Sequence, residues 1–190
     1  MANIFLISDQ HFGHKNILNF KRRDGITPLR LFDSSEEMDE HMVDCHNKVV
    51  KPNDKIYMLG DLAMNKKFLP ILDRLNGEKI LIKGNHDQDS LAVYAKYFKD
   101  VRASHQLAGH ILTHIPIHSN SLSRWKKNLH GHLHADVVGD LDTDGIWQPD
   151  HRYVCLSVEH TNYFPIALED IDTFANEQHD KAILSTKTVV

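Results

Sequence analysis

The stretch Asn3-Ile4-Phe5-Leu6-Ile7-Ser8-Asp9-Gln10-His11 decides how the rest of the chain is read. Its apolar run reads as a strand. It ends in a carboxylate and an imidazole two residues apart, a spacing that puts both side chains on one side of an extended chain. In α/β sheets, ligands gather outside the carboxyl ends of strands. Asp9 and His11 are therefore candidates for a site at the end of the first strand.

The same arrangement recurs downstream. Apolar runs at Lys55 to Leu59, Lys79 to Ile82, Ile111 to Thr113 and Tyr153 to Val158 also read as strands. Gly60-Asp61 follows the first of these, Gly84-Asn85-His86-Asp87 the second and His114 the third; Gly131-His132-Leu133-His134 comes later. The glycines permit tight turns beside a bound ion. Helical patterns alternate with the early strands. Ser34-Ser35-Glu36-Glu37 is a capping-box start, and Met38, Met42, Cys45 and Val49 recur at helical spacing until Lys51-Pro52-Asn53 stops them. Further helices are expected at about Phe68 to Leu75, Ser90 to Phe98 and Leu168 to His179. Alternating strand and helix indicates an α/β sheet with helices packed outside it. Residues 1–180 read as one domain, and the tail 181–190 has no clear pattern and is expected to be poorly ordered.

The polar residues at the strand ends are carboxylates, imidazoles and one amide oxygen, with no thiolate. That mixture is too oxygen-rich for a structural zinc site and suits two divalent cations side by side. Two such ions clamp the attacking and leaving oxygens of a phosphoryl displacement. Composition bounds the remaining classes. The formal net charge of −4 argues against a general nucleic-acid binder, and no apolar run approaches a membrane span. Cys45 and Cys155 stand far apart in sequence, and a buried, reduced pair fits a cytoplasmic location.

In order and spacing, these five fragments resemble the signature of the calcineurin-like metallophosphoesterases, above all its small capless bacterial and phage members. Their opening is similar to Ser8-Asp9-Gln10-His11-Phe12-Gly13-His14, and their last strand and turn to Val158 to Ile171. The resemblance implies a four-layer α/β/β/α sandwich of two mixed sheets flanked by helices. It assigns Asp9, His11, Asp61 and His134 to one metal, and Asp61, Asn85, His114 and His132 to the second, with Asp61 bridging. It implies a water or hydroxide between the metals as nucleophile, His86 assisting the leaving group and Asp87 orienting His86. Manganese is the expected activator in vitro, with iron, zinc and nickel also compatible.

Substrate residues are less constrained. His14 and His118 lie near ligand fragments. Arg30 sits in the insertion after the first strand, and Trp125 lies in the cationic segment Arg124-Trp125-Lys126-Lys127, where it would stack on a base. Asp140-Leu141-Asp142-Thr143-Asp144-Gly145 matches half of an EF-hand loop, but His151 stands where the closing glutamate belongs, so it reads as an acidic turn. The expected substrate is a nucleotide-type phosphodiester or phosphomonoester, on a nucleotide or another phosphorylated small molecule. The competing functions are a nuclease acting on DNA or RNA, and a non-catalytic scaffold of the same fold.

Overall fold

The structure is a computed structural model and describes residues 2–187. Strands β1 (Ile4–Ile7), β2 (Lys55–Met58), β3 (Glu78–Ile82) and β4 (Asp100–Arg102) lie parallel in the order β1-β2-β3-β4. β11 (Ile166–Ala167) adds antiparallel to the outer side of β1. A second sheet runs β10-β7-β6-β5, built from β5 (His105–Leu107), β6 (His110–Leu112), β7 (Asn128–His130) and β10 (Tyr153–Cys155). Its β5 is antiparallel and the other pairs are parallel, so both sheets are mixed. A hairpin, β8 (Gly139–Leu141) with β9 (Trp147–Pro149), stands apart from both sheets.

The period-2 geometry of strands explains the layering. Phe5, Ile7, Ile56, Met58 and Leu81 face outward against Met38, Met42 and Val43 of helix α1 (Ser35–Val49) and against Leu69 and Leu72. Their alternating neighbours Leu6, Tyr57, Leu59, Ile80 and Ile82 face inward against Leu112, Leu129 and Val154 of the second sheet and Leu156 just past its end. Both faces of β1 to β3 are buried, which is why these strands are continuous apolar runs. On the far face of the second sheet, Ile111, Leu122, Tyr153 and the half-buried Trp125 form a third cluster. This is the sandwich that the sequence leads one to expect.

Local chemistry sets the element ends. The Ser34 hydroxyl accepts the Glu37 N–H at 3.0 Å and starts α1. The helix expected at Phe68 to Leu75 is a 3₁₀ segment over Lys66–Arg74, because Pro70 lies inside it and donates no N–H. The third expected helix is reduced to α2 (Leu91–Tyr94), and a further single turn, α3 (Val158–Thr161), ends the strand expected to run to Val158. The last helix, α4, spans Ile171–Lys187. It corrects the reading of residues 181–187 as a pattern-free tail; residues 188–190 lie outside the described residues. The Gln178 amide of α4 donates to Cys155 O at 2.7 Å and accepts Cys155 N–H at 3.0 Å. One side chain thus caps the exposed edge of β10. Both cysteines are buried and free. No helix among the described residues is long and apolar enough to cross a membrane.

Candidate metal centre

The five fragments converge at the carboxyl ends of the strands, in two groups. Asp9, His11 and His134 form one, and Asp61, His114 and His132 the other; within each, the potential ligand atoms lie within 4.8 Å of one another. Asp61 joins them: its Oδ2 is 3.7 Å from His11 Nε2 and 3.2 Å from His114 Nε2. Asn85 Oδ1 adds an oxygen 2.9 Å from His114 Nε2. All seven ligand candidates read from the sequence therefore meet here.

Several observations fit this donor set to metal ions. Both ring nitrogens of the buried His11 lack a hydrogen-bond partner, which is costly unless something else satisfies them. His114 Nδ1 donates to Leu59 O at 2.7 Å, so Nε2 is the ring nitrogen turned towards Asp61 and Asn85. Two glycines make room by close approach. A Cβ on Gly84 would lie 2.2 Å from Asp61 Oδ1, and one on Gly131 would lie 2.3 Å from Asp9 Oδ2. Asp9, His11, Asp61, His132 and His134 all have φ between 52° and 70°. Non-glycine residues in this left-handed region are uncommon and cluster at functional sites. Here the turn aims each side chain inward off its strand.

Electrostatics follows from burial. Desolvation, with Arg30 nearby, pushes His11 well below its usual range, so its ring is neutral and able to ligate. Burial works against ionised Asp61, yet the hydrogen bond and charge of His114 outweigh it and hold the carboxyl at about 2. Burial likewise disfavours charged His114, and its bond to Asp61 reverses the direction and raises it.

Surrounding groups fix the ligands. The Asp9 carboxylate accepts the His132 N–H at 2.9 Å and the Ser157 hydroxyl at 2.7 Å. Glu159, which the sequence reading did not single out, accepts from His134 Nδ1 at 3.0 Å and from Arg30 Nε at 2.8 Å. Its sequence signal was available: like Asp9, it stands just past the end of an apolar strand run. Arg30 also donates to Gln10 O at 2.7 Å and Asp9 O at 2.5 Å. Its side chain is wholly buried, which corrects the expectation that it binds substrate; it braces the first ligand loop instead.

Asp87 is a second correction. Its two oxygens accept the backbone N–H groups of Asp61 (2.9 Å), Leu62 (3.0 Å) and Gly84 (2.8 Å). The carboxylate ties two ligand loops together rather than orienting the His86 imidazole. His86 itself is exposed; its N–H donates to Asp61 Oδ1 at 2.8 Å, and its ring centroid lies 5.6 Å from that of His11. His14 is half-buried with its ring 5.5 Å from His11. His118 is exposed and accepts the Asn120 N–H at 3.2 Å, capping the 3₁₀ turn Ser119–Arg124. Trp125 is committed in part to the third apolar cluster. His130 is buried and donates from Nδ1 to Gly131 O at 2.7 Å.

Comparison with known proteins places the chain among relatives. It is 34% identical over 173 residues to the uncharacterized protein MJ1445 of Methanocaldococcus jannaschii, covering 89% of each chain. This chain belongs to the MJ1445 family. A second relative, the gene 66 protein of Mycobacterium phage L5, is 25% identical over 174 residues, covering 73% of this chain and 80% of the phage protein. Among solved structures, the protein of unknown function AQ665 from Aquifex aeolicus superposes with a TM-score of 0.64 at 25% identity. It covers 91% of this chain and 99% of its own. No protein-family model matches the chain.

Proposed function

We propose that this member of the MJ1445 family is a phosphodiesterase of the calcineurin-like metallophosphoesterase type, dependent on two divalent metal ions and acting on nucleotide-type phosphodiesters. The observation that carries the reading is the position of Asp61 Oδ2 between His11 Nε2 and His114 Nε2. Asp9, His11, Asp61 and His134 would hold one ion, and Asp61, Asn85, His114 and His132 the other. When bound, such ions supply Lewis acidity to phosphoryl oxygens and to an attacking water.

The chain's own residues supply the rest. Water adds to phosphorus as the ester P–O bond breaks, and the departing oxygen needs a proton. His86 supports that role: its ring is exposed beside His11, while its backbone is fixed by Asp61. The openness of the site supports a diester. A cleft of about 430 Å³ reaches His134 on one side, and one of about 370 Å³ reaches Asn85 and His114 on the other. Each could take one substituent of a diester, whereas a monoester would use only one. Intact ligand fragments count against a scaffold role, and the net charge of −4 counts against a general nuclease.

The test is hydrolysis of bis(4-nitrophenyl) phosphate after chelation and after reloading with manganese. Activity is expected to vanish in the first sample and return in the second. Full activity in a sample that elemental analysis finds metal-free would overturn the proposal.

A further inference from the structure

We propose that the cleft beside His134 is a binding site for a second phosphate of the substrate, one residue removed from the ester that is cleaved. The inference rests on the phosphodiesterase reading and adds to it the class of substrate: a phosphodiester flanked by another phosphate.

The cleft of about 430 Å³ lies between two segments. One wall is Phe20, Lys21, Arg22, Arg23 and Leu29; the other is Leu133 to Asp136, which continues directly from the ligand fragment. The first wall is a built structure. Lys21 bridges Pro28, Arg22 N–H donates to Thr27 O at 2.8 Å, and Leu29 N–H donates to Phe20 O at 2.8 Å. Arg30 then anchors the end of this loop under the ligands through Asp9 O and Gln10 O. The backbone that carries the cations is thereby held at a fixed place relative to the candidate metal centre.

Charge singles out which of them are free for a ligand. Arg23 is engaged, with Nε 2.9 Å from Asp136 Oδ2 across the cleft. The nearest acid in sequence, Asp24, spends its carboxylate on Ile26 N–H, Thr27 N–H and the Thr27 hydroxyl. Lys21 and Arg22 form no ion pair among the described residues. Two cations without an ion pair lining one cleft in a chain of net charge −4 call for an anionic ligand. A run of aromatic rings connects that cleft to the metal centre. His11 and His14 centroids are 5.5 Å apart, and His14 and Phe20 are 5.8 Å apart. Phe20 is 49% exposed and offers a base a surface to stack on. The cleft beside Asn85 has a single cation, Lys83, so the two sides of the site differ in charge.

The test uses titration calorimetry on the manganese-loaded protein with two hydrolysis-resistant phosphorothioate dinucleotides of thymidine, one bearing a 5′-phosphate and one without it. The 5′-phosphorylated form is expected to bind about ten-fold more tightly, which corresponds to about 1.4 kcal/mol. K21Q/R22Q should abolish that difference while leaving manganese content, read by elemental analysis, and Tm unchanged, since both side chains are exposed and form no ion pair among the described residues. Equal affinities in the wild-type protein, or a preference that survives in the double variant, would overturn the inference. Calorimetry reads the cleft without turnover, so its failure is distinct from failure of the diesterase assay. A 5′-phosphorylated, phosphorothioate-linked octathymidylate separates the sources of the second phosphate. Affinity that rises with length assigns the cleft to single-stranded nucleic acid, and affinity equal to the dinucleotide's assigns it to a small nucleotide.

Discussion

Glu159 Oε1 lies 3.0 Å from His134 Nδ1 and 2.8 Å from Arg30 Nε, so one buried carboxylate serves both a candidate metal ligand and the arginine that braces the first ligand loop. Burial alone would favour protonation of Glu159, but Arg30 and His134 together hold its carboxyl down to about 2. The carboxylate receives the Nδ1 proton of His134 and leaves Nε2 directed at the metal centre. This is how outer partners commonly fix a ligating histidine.

Glu159→Gln removes the countercharge of a wholly buried arginine. Breaking a buried ion pair on one side costs about 3–5 kcal/mol, so thermal unfolding should show a large drop in Tm. Metal affinity should fall about 10–100-fold, measured by competition with a chelator. Unchanged stability and unchanged metal affinity would show that the pair is dispensable.

His86 and Asp61 should separate cleanly. His86→Ala is expected to lower turnover about 10²–10⁴-fold with both metals retained by elemental analysis. Asp61→Ala should lose metal, because one carboxylate reaches both groups. The opposite pattern would reverse the assignment of these two residues.

Asp87→Asn tests a structural role against a catalytic one. Its carboxylate accepts three backbone N–H groups, and an amide cannot accept all of them. Leaving one unsatisfied costs about 1–3 kcal/mol, so stability and metal retention should suffer. The pH dependence of kcat should keep its shape. A shifted acid or base limb would restore Asp87 as the partner of His86.

Acid sensitivity has an identifiable source away from the metal centre. Burial holds the His46 imidazole down to about 4, and its Nε2 donates to Asn76 O at 2.9 Å. The unfolded chain, with an ordinary histidine near 6.5, binds the proton first. Stability from neutral His46 is therefore present above about 6.5 and is lost as pH falls towards about 4, by about 2–3 kcal/mol. His46→Gln keeps a donor and cannot titrate, so its unfolding free energy should fall less steeply across that window. Parallel curves for the two proteins would place the acid sensitivity elsewhere.

The sequence carried the sheet and the ligands because both are local signals. Leu6 and Ile7 sit in an apolar run whatever they pack against, and Asp9 and His11 follow directly from its end. Glu159 follows an apolar run as Asp9 does, but its role was not legible because its arginine partner lies 129 residues away. Arg30 was read as a substrate-binding cation for the same reason, since only the tertiary fold buries it. The role that the resemblance implied for Asp87 does not match its contacts, because its partners are the backbones of the ligand loops. The three-residue strands β4, β5 and β7 are too short to display a period, and Pro70 turned an expected α-helix into a tighter coil.

Because Arg30 and Glu159 cancel each other, the polarity of the centre is left to Asp9, Asp61 and Asp87 on one side and to whatever cations it takes up on the other. On the proposed reading, those carboxylates would oppose an arriving anion before loading. Two divalent ions would outnumber the three carboxylates in charge and invert the sign. A phosphate ester would then be drawn in only after loading. Cations would bind first and ester second, so chelation should disarm substrate capture as well as chemistry.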